Sequence, residues 1–327
     1  MARVFIDGFE SGRLDLWDSS NNASVTAAAT GMDGSYCLYC NASNAAYASR
    51  PVPTASEYYV AFRFRSISSN TNGIAYFNSS GTRVGTLIRL GGYLVAKLGT
   101  NGGTTLATGT KPIDDNTTYL IEIYFKPADT GGRWVVKVDG ITDIDYTGDT
   151  TPGPTTIDRI GLGTNYTGSA CYAYYDNFIV DNETFPGNTR IQAIRPTAAG
   201  NSTQWTPSAG SNWDCVDEVP PSTSDYVYTN TPDSLDLYTF GDLSGSIDSI
   251  QCVQVQALAM LEGAPTPQKL QLAVRTGGSN YFSNSKAIPT GSPRTVFDIW
   301  VNNPNTSSPW EASEVNGAEF GIKAVVQ

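Results

Sequence analysis

The chain contains no histidine at all. That absence removes Ser–His–Asp and Cys–His nucleophilic catalysis, histidine-based zinc hydrolase sites and imidazole general bases. Carboxylates, tyrosines or a hard cation are left to carry any chemistry. Basic residues are outnumbered, 20 Lys and Arg against 31 Asp and Glu for a formal net charge of −11. No stretch interleaves basic with stacking aromatic residues, which excludes nucleic acid as a partner. No apolar run approaches the length of a bilayer-spanning segment, so no membrane insertion is expected. Cysteines are few and unpatterned: Cys37, Cys40, Cys171, Cys215 and Cys252. The "CLYC" at 37–40 is half a zinc motif with no second half, and on a strand its two ends face opposite sides. Reduced thiols packed as small hydrophobes are the expectation. The opening "MARVFIDGFE" has neither a basic n-region nor an apolar h-region, so the expectation is no secretory signal and assembly in the cytoplasm. Sustained helical periodicity, internal repeats and heptads are missing as well.

What is present is the pattern of an all-β protein. Gly 32, Pro 18 and Tyr 18 accompany a hydrophobic share of 40%, enough for real cores. Short alternating or β-branched runs, among them "YYVAFRFRSI", "GIAYFN", "VGTLIRL", "TYLIEIYFK", "RWVVKVDG" and "AYYDNFIV", are separated by Gly, Asn or Pro turns. In "AFRFRS", Phe62 and Phe64 share one face while Arg63 and Arg65 share the other. In "YLIEIYFK", Ile121, Ile123 and Phe125 oppose Leu120, Glu122 and Tyr124. Residues 183–201, "ETFPGNTRIQAIRPTAAGN", read as an interdomain joint. The spacing predicts two β-sandwich domains, 1–186 and a smaller 187–327. In the second, 246–261 reads as one long strand, and "PWEASEVNG" at 309–317 as a single helical turn anchored by Trp310.

The acidic opening "DGFESGRLDLWD", the turn "GMDGSYCLYC" and the closing "YYDNFIVDN" resemble the strand signatures of concanavalin A-like and laminin-G-like jelly rolls, including jelly-roll carbohydrate-binding modules, over residues 3 to about 183. The resemblance implies a structural calcium site, since first and last strands are neighbours in a jelly roll. Glu10 matches the family's ligating Glu and Asp176 its ligating Asp, while Asp7, Asp33 and Ser35 sit where further oxygens are contributed. Calcium takes six to eight oxygen ligands and needs no histidine.

Concanavalin-like glucanases carry an E-x-D-x-E or similar strand that sets two carboxyls on one face, and retaining cleavage needs them about 5–5.5 Å apart. No such strand exists here. Asp143 and Asp145 come nearest and read as a solvated strand edge, so the chain is expected not to be an enzyme. Tyr58, Tyr59, Tyr76, Tyr93, Tyr166, Tyr172 and Trp134 are candidates for stacking on sugar, with core packing as the competing fate of each.

In the second half, "NWDCVDEVPPSTSDYVYT", "SGSIDSIQCVQVQALAM" and the closing Pro309, Trp310, Val315, Asn316, Glu319, Phe320, Gly321 and Lys323 resemble the C-terminal domain of tailed-phage virion proteins. The resemblance implies a non-enzymatic bacteriophage structural protein on a capsid or tail surface, presenting a lectin-like jelly roll outward on the virion. Its partners would be other virion proteins, cell-surface glycans and further copies in a homo-oligomer. The alternative is a carbohydrate-binding module protein of a glycan-degrading system.

Overall fold

The computed structural model describes residues 3–263 and 269–326. Two compact units divide the chain, Met1–Ile191 and Gln192–Gln327. Nearly all regular structure is β, in antiparallel sheets.

The first unit has fifteen strands. They are β1 (Arg3–Asp7), β2 (Ser19–Asn21), β3 (Ala23–Ala27), β4 (Tyr36–Ala42) and β5 (Tyr47–Ala55), then β6 (Tyr58–Ser66), β7 (Gly73–Ser79), β8 (Thr82–Leu90), β9 (Tyr93–Leu98) and β10 (Thr105–Thr108). β11 (Thr118–Lys126), β12 (Gly132–Val138), β13 (Ile141–Gly148), β14 (Ile157–Gly163) and β15 (Cys171–Asp181) complete it. One sheet runs β13-β12-β11-β6-β15-β4-β3, with β1 also on β15, and the other runs β10-β9-β8-β7-β14-β5-β2. This is a β-sandwich whose first and last strands pair, Asp7 opposite Phe178 and Phe5 opposite Val180.

Period-two alternation builds the core between the sheets. Phe62, Phe64, Ile121, Ile123, Phe125 and Trp134 from the eight-stranded sheet are fully buried, as are Ala75, Phe77 and Leu87 from the other. Aromatic rings meet there edge-on or tilted, with Phe77 and Phe125 at 4.9 Å and Phe125 and Trp134 at 4.2 Å between centroids. Such pairs add to the burial term itself. Cys37, Cys40 and Cys171 are unpaired and buried in this unit, so the half-motif "CLYC" is packing.

Two local departures from regular β-structure matter later. β15 changes register between Asp176 and Ile179 against β6, with Asn177 at φ 48. This bulge inserts an extra residue and re-aims the side chains around it. Residues 183–191 belong to the first unit and are not a free joint. Phe185 lies edge-on to Tyr59 at 5.1 Å, Gly187 N donates to Glu122 Oε1 at 2.9 Å, Arg63 donates to Asn188 Oδ1 at 2.6 Å, and Ile191 N donates to Asn177 Oδ1 at 2.9 Å. The segment therefore crosses the outer face of the eight-stranded sheet.

The second unit pairs 196–203, 235–240, 319–325, 269–276 and 279–282 in that order in one sheet, with 286–287 added at 269–276. Val255, Leu270, Leu272, Val274, Trp310, Val315 and Phe320 form its core. The antiparallel pair of 253–259 with 294–300 packs its apolar side chains against that core. The long strand expected at 246–261 is shorter: only Val253–Ala259 pairs, because the Ser/Asp/Gln positions before it have no strand opposite them among the described residues. The helical turn at Ala312–Asn316 is present, with a reciprocal capping box between Glu311 and Glu314 that satisfies first-turn N–H groups. Trp310 is buried and its indole N–H donates to Trp300 O at 3.1 Å.

Candidate functional site

Four of the five expected metal residues do meet. Glu10 accepts the N–H groups of Ser35 and Tyr36 at 3.0 Å. Asp176, aimed outward by its bulge, accepts Asp33 N at 2.8 Å and Asn177 N at 2.6 Å. Asp33 in turn accepts Asn177 Nδ2 at 2.6 Å. Gly34 sits at φ +64 with the Glu10 carboxylate against its Cα, where a Cβ would collide; the turn needs glycine there. Asp7 is drawn elsewhere: it accepts Phe9 N at 2.7 Å and the Trp17 indole at 2.8 Å, inside the Phe5–Phe9–Trp17–Phe178 cluster.

The all-oxygen donors suit a hard cation, but the arrangement does not fit one. The carboxylates are spent on backbone N–H groups, and among the described residues no group of three or more Asp, Glu, Cys or His is placed to hold a metal ion. The shared motif does a different task here, closing the Asp33–Tyr36 turn onto the first and last strands through charge-assisted hydrogen bonds. Chelation is therefore expected to leave the melting temperature of the protein unchanged, whereas Glu10→Gln lowers stability by about 2 kcal/mol, the range for hydrogen bonds to a charged group. A calcium-dependent rise in melting temperature that Glu10→Gln abolishes would restore the metal reading.

The Asp143–Asp145 pair does not act together. Asp143 accepts the N–H groups of Thr110 and Lys111 at 2.7 and 2.9 Å, and Asp145 pairs with Arg133 at 3.0 Å. The stacking candidates scatter as well. Trp134 and Tyr58 are buried in the core. Tyr59 stacks on Tyr124 at 4.6 Å under the 183–191 segment. Tyr93 and Tyr166 are exposed, at 38% and 40%. Tyr172 lies on the outer side of the eight-stranded sheet, opposite Asn41.

Tyr76 stands apart because its strand places it on the outer face of the seven-stranded sheet. Register puts Ser19, Ser49, Gly161, Tyr76, Thr86 and Lys97 in one row across β2, β5, β14, β7, β8 and β9. The flanking row holds Arg159, Asn78 and Arg83. The Tyr76 ring lies flat over Gly161, whose missing Cβ makes the room. The Arg83 guanidinium covers the ring at 3.8 Å, donating to Asn78 Oδ1 at 2.7 Å, Thr86 Oγ1 at 3.2 Å and Asn165 Oδ1. Tyr47 meets Tyr76 edge-on at 6.2 Å. Arg159 holds Asp18 through both nitrogens, at 2.6 and 2.8 Å. Burial pushes the Tyr76 hydroxyl up to about 12, with Ser49, Arg83 and Arg159 pulling the other way, so it stands as a neutral phenol. Burial also lowers Arg83 to about 10, which leaves it a full cation at neutral pH. Tyr76 is itself fully buried, so what this face offers is the half-buried Tyr47 ring with amides and cations over the middle of a sheet.

None of Arg83, Asn78, Arg159, Lys97 or Asn165 was singled out by the sequence. The available signal was "IGLG" beside "AYFN": glycines at outward positions of one strand opposite an outward tyrosine of the next.

No family model matches the chain, and no curated protein matches it. Among solved structures, it is similar to an endo-β-1,4-glucuronan lyase from the fungus Trichoderma reesei, at 14% identity over 55% of this chain and 96% of that one, TM-score 0.41. It is also similar to the alginate lyase Aly36B, seen with an alginate tetrasaccharide, at 16% identity over 57% and 94%, TM-score 0.38. A third is the carbohydrate-binding module CBM66 from Bacillus subtilis, at 10% identity over 50% and 98%, TM-score 0.33. At such identities the likeness shows the fold alone. The expectation of a non-enzyme is nonetheless corrected: two of these three are enzymes. The C-terminal resemblance to virion proteins gains no support from any comparison, and neither do virion partners or a homo-oligomer.

Proposed function

We propose that the chain binds a glycan on the outer face of the seven-stranded sheet, in the manner of a carbohydrate-binding module within a glycan-degrading system. The observation that carries this reading is the contrast between the two outer faces. Residues 183–191 lie across the eight-stranded sheet, where they bury Glu122 to 2% exposure and engage Tyr59 and Arg63. The outer side of the seven-stranded sheet carries the half-buried Tyr47, Arg83 and Arg159 around the buried Tyr76, with exposed Asn165 and Tyr166 at its rim. Sugar recognition needs such a mixture, apolar ring surface for C–H faces and fixed donors and acceptors for hydroxyls. The carbohydrate ligands and names of the similar structures agree with it.

The reading is tested by affinity electrophoresis of the full chain through gels carrying neutral and acidic polysaccharides. Retardation by at least one polymer is expected, and Tyr47→Ala should weaken it by roughly tenfold, the loss of one stacking or edge contact worth about 1–1.5 kcal/mol. Unretarded migration in every gel would remove the glycan reading.

A further inference from the structure

We propose that Arg83 is the subsite for an acid group on the bound sugar, so that the glycan is a polyuronate. This rests on the glycan reading above and goes further by assigning the chemistry of its ligand. The argument starts from charge. In a chain of net charge −11, a basic side chain has many carboxylates to choose from, and several of the buried or partly buried arginines find one: Arg3 with Asp181, Arg89 with Asp115 and Arg159 with Asp18. Arg83 does not. All three of its hydrogen-bond acceptors are neutral, two amide oxygens and a hydroxyl, and its remaining contact is the face of Tyr76.

A cation withdrawn from water without a counter-ion is costly, and proteins rarely keep one unless something neutralises it. The cation–π contact offsets part of that cost and holds the guanidinium 3.8 Å from the centre of the ring. Asn78 and Asn165 hold it from two sides. A planar fork fixed in this way is suited to a planar carboxylate. Lys97 reinforces the assignment. It lies directly across from Thr86, the residue that accepts from Arg83, and its ammonium donates only to Gly103 O at 3.3 Å and Thr105 Oγ1 at 2.8 Å. Two cations without a carboxylate partner among the described residues thus flank one threonine on the face already assigned to sugar. Arg159, neutralised by Asp18, is the internal contrast: it can orient a ligand but has no charge to spare.

The test uses the full chain and three probes: polygalacturonate, the same polymer with its carboxyl groups reduced to alcohols, and dextran sulfate. Polygalacturonate is expected to bind, with affinity falling as salt rises, and its reduced form to bind at least tenfold more weakly. Arg83→Gln should lower polygalacturonate affinity by roughly ten- to a hundredfold, the range for losing a hydrogen bond between charged groups, and lower that of the reduced polymer by a clearly smaller factor. Arg83→Lys, which keeps charge and loses the fork, should fall between, and it keeps the test alive if Arg83→Gln fails to fold. Lys97→Gln should lower polygalacturonate affinity alone. Equal binding of the native and reduced polymers would overturn the acid subsite while leaving glycan binding intact. Preference for dextran sulfate over polygalacturonate would overturn the carboxylate assignment. Binding of none of the three, with neutral polysaccharides also failing, would remove both readings together.

Discussion

Asp236→Ala is expected to unfold the second unit while the first stays folded. Asp236 is fully buried in the strand at 235–240, and its carboxylate gathers three donors, two of them from the excursion of chain before the strand. Oδ1 accepts Trp205 N at 2.8 Å, and Oδ2 accepts Asn212 Nδ2 at 2.6 Å and the Tyr238 hydroxyl at 3.0 Å. Burial, and then Asp236 itself, hold the Tyr238 phenol far above its ordinary range, so it remains a donor at every working pH. Removing the carboxylate leaves the buried Tyr238 hydroxyl unpaired at about 1–3 kcal/mol, frees the part-buried Trp205 N and Asn212 Nδ2, and opens a cavity in the sheet. Together these take a large share of a domain's stability of about 5–15 kcal/mol. Two thermal transitions in the wild-type chain, with loss of only one in the variant, is the expected calorimetric result. A single cooperative transition lost entirely would mean that the two units do not fold independently.

That carboxylate also shows where reading the sequence stops. In the strand "LDLYTF" Asp236, Leu237 and Tyr238 are all buried, so the strand is covered on both faces and simple alternation does not describe it. Nothing local marks Asp236 as buried, because its partners come from positions 24 to 31 residues earlier. The jelly roll itself was legible for the opposite reason. Phe62 and Phe64 against Arg63 and Arg65, and Ile121, Ile123 and Phe125 against Glu122, are period-two patterns written within single strands. The pairing of first and last strands came from motifs, and it is present.

The sites were harder. Glu10 and Asp176 both accept from the backbone of the 33–36 turn, and side-chain identity does not reveal whether a carboxylate faces amides or a cation. Arg83 carries no signal at all. Its distinction is the lack of a carboxylate partner, a property of the assembled sheet and of no sequence window. The 183–191 segment was read as a joint from its Pro and Gly content, whereas Phe185 and Gly187 tie it to the first unit through contacts to Tyr59 and Glu122.

Raising the pH from 4 to 8 is expected to destabilise the first unit, against the usual behaviour of acidic groups paired in the folded state. Asp7 is raised from its ordinary value to about 6, first by burial, with the Trp17 indole, Phe9 N and Arg50 pulling it down. Asp176 is raised to about 8, again first by burial, then opposed by the N–H groups of Asn177 and Asp33 and reinforced by the charges of Asp33 and Glu10. For both, the folded pKa lies above the unfolded one, so the folded state binds more protons across the interval between them. Stability then falls as pH rises through that interval. For Asp7 the window runs from about 4 to 6 and is worth on the order of 3 kcal/mol at 1.36 kcal/mol per unit; Asp176 extends the decline towards pH 8. Denaturant midpoints of the first transition at pH 4.5, 6 and 8 measure it, and they should decrease in that order. Asp7→Asn keeps an acceptor for only one of Phe9 N and the Trp17 indole and lowers stability overall, but it cannot ionise, so it should flatten the slope below pH 6 and leave the part above. A wild-type midpoint that rises steadily from pH 4.5 to 8 would show that both carboxyls ionise without cost in the fold, and the buried, metal-free acidic opening described above would then be wrong in its electrostatics.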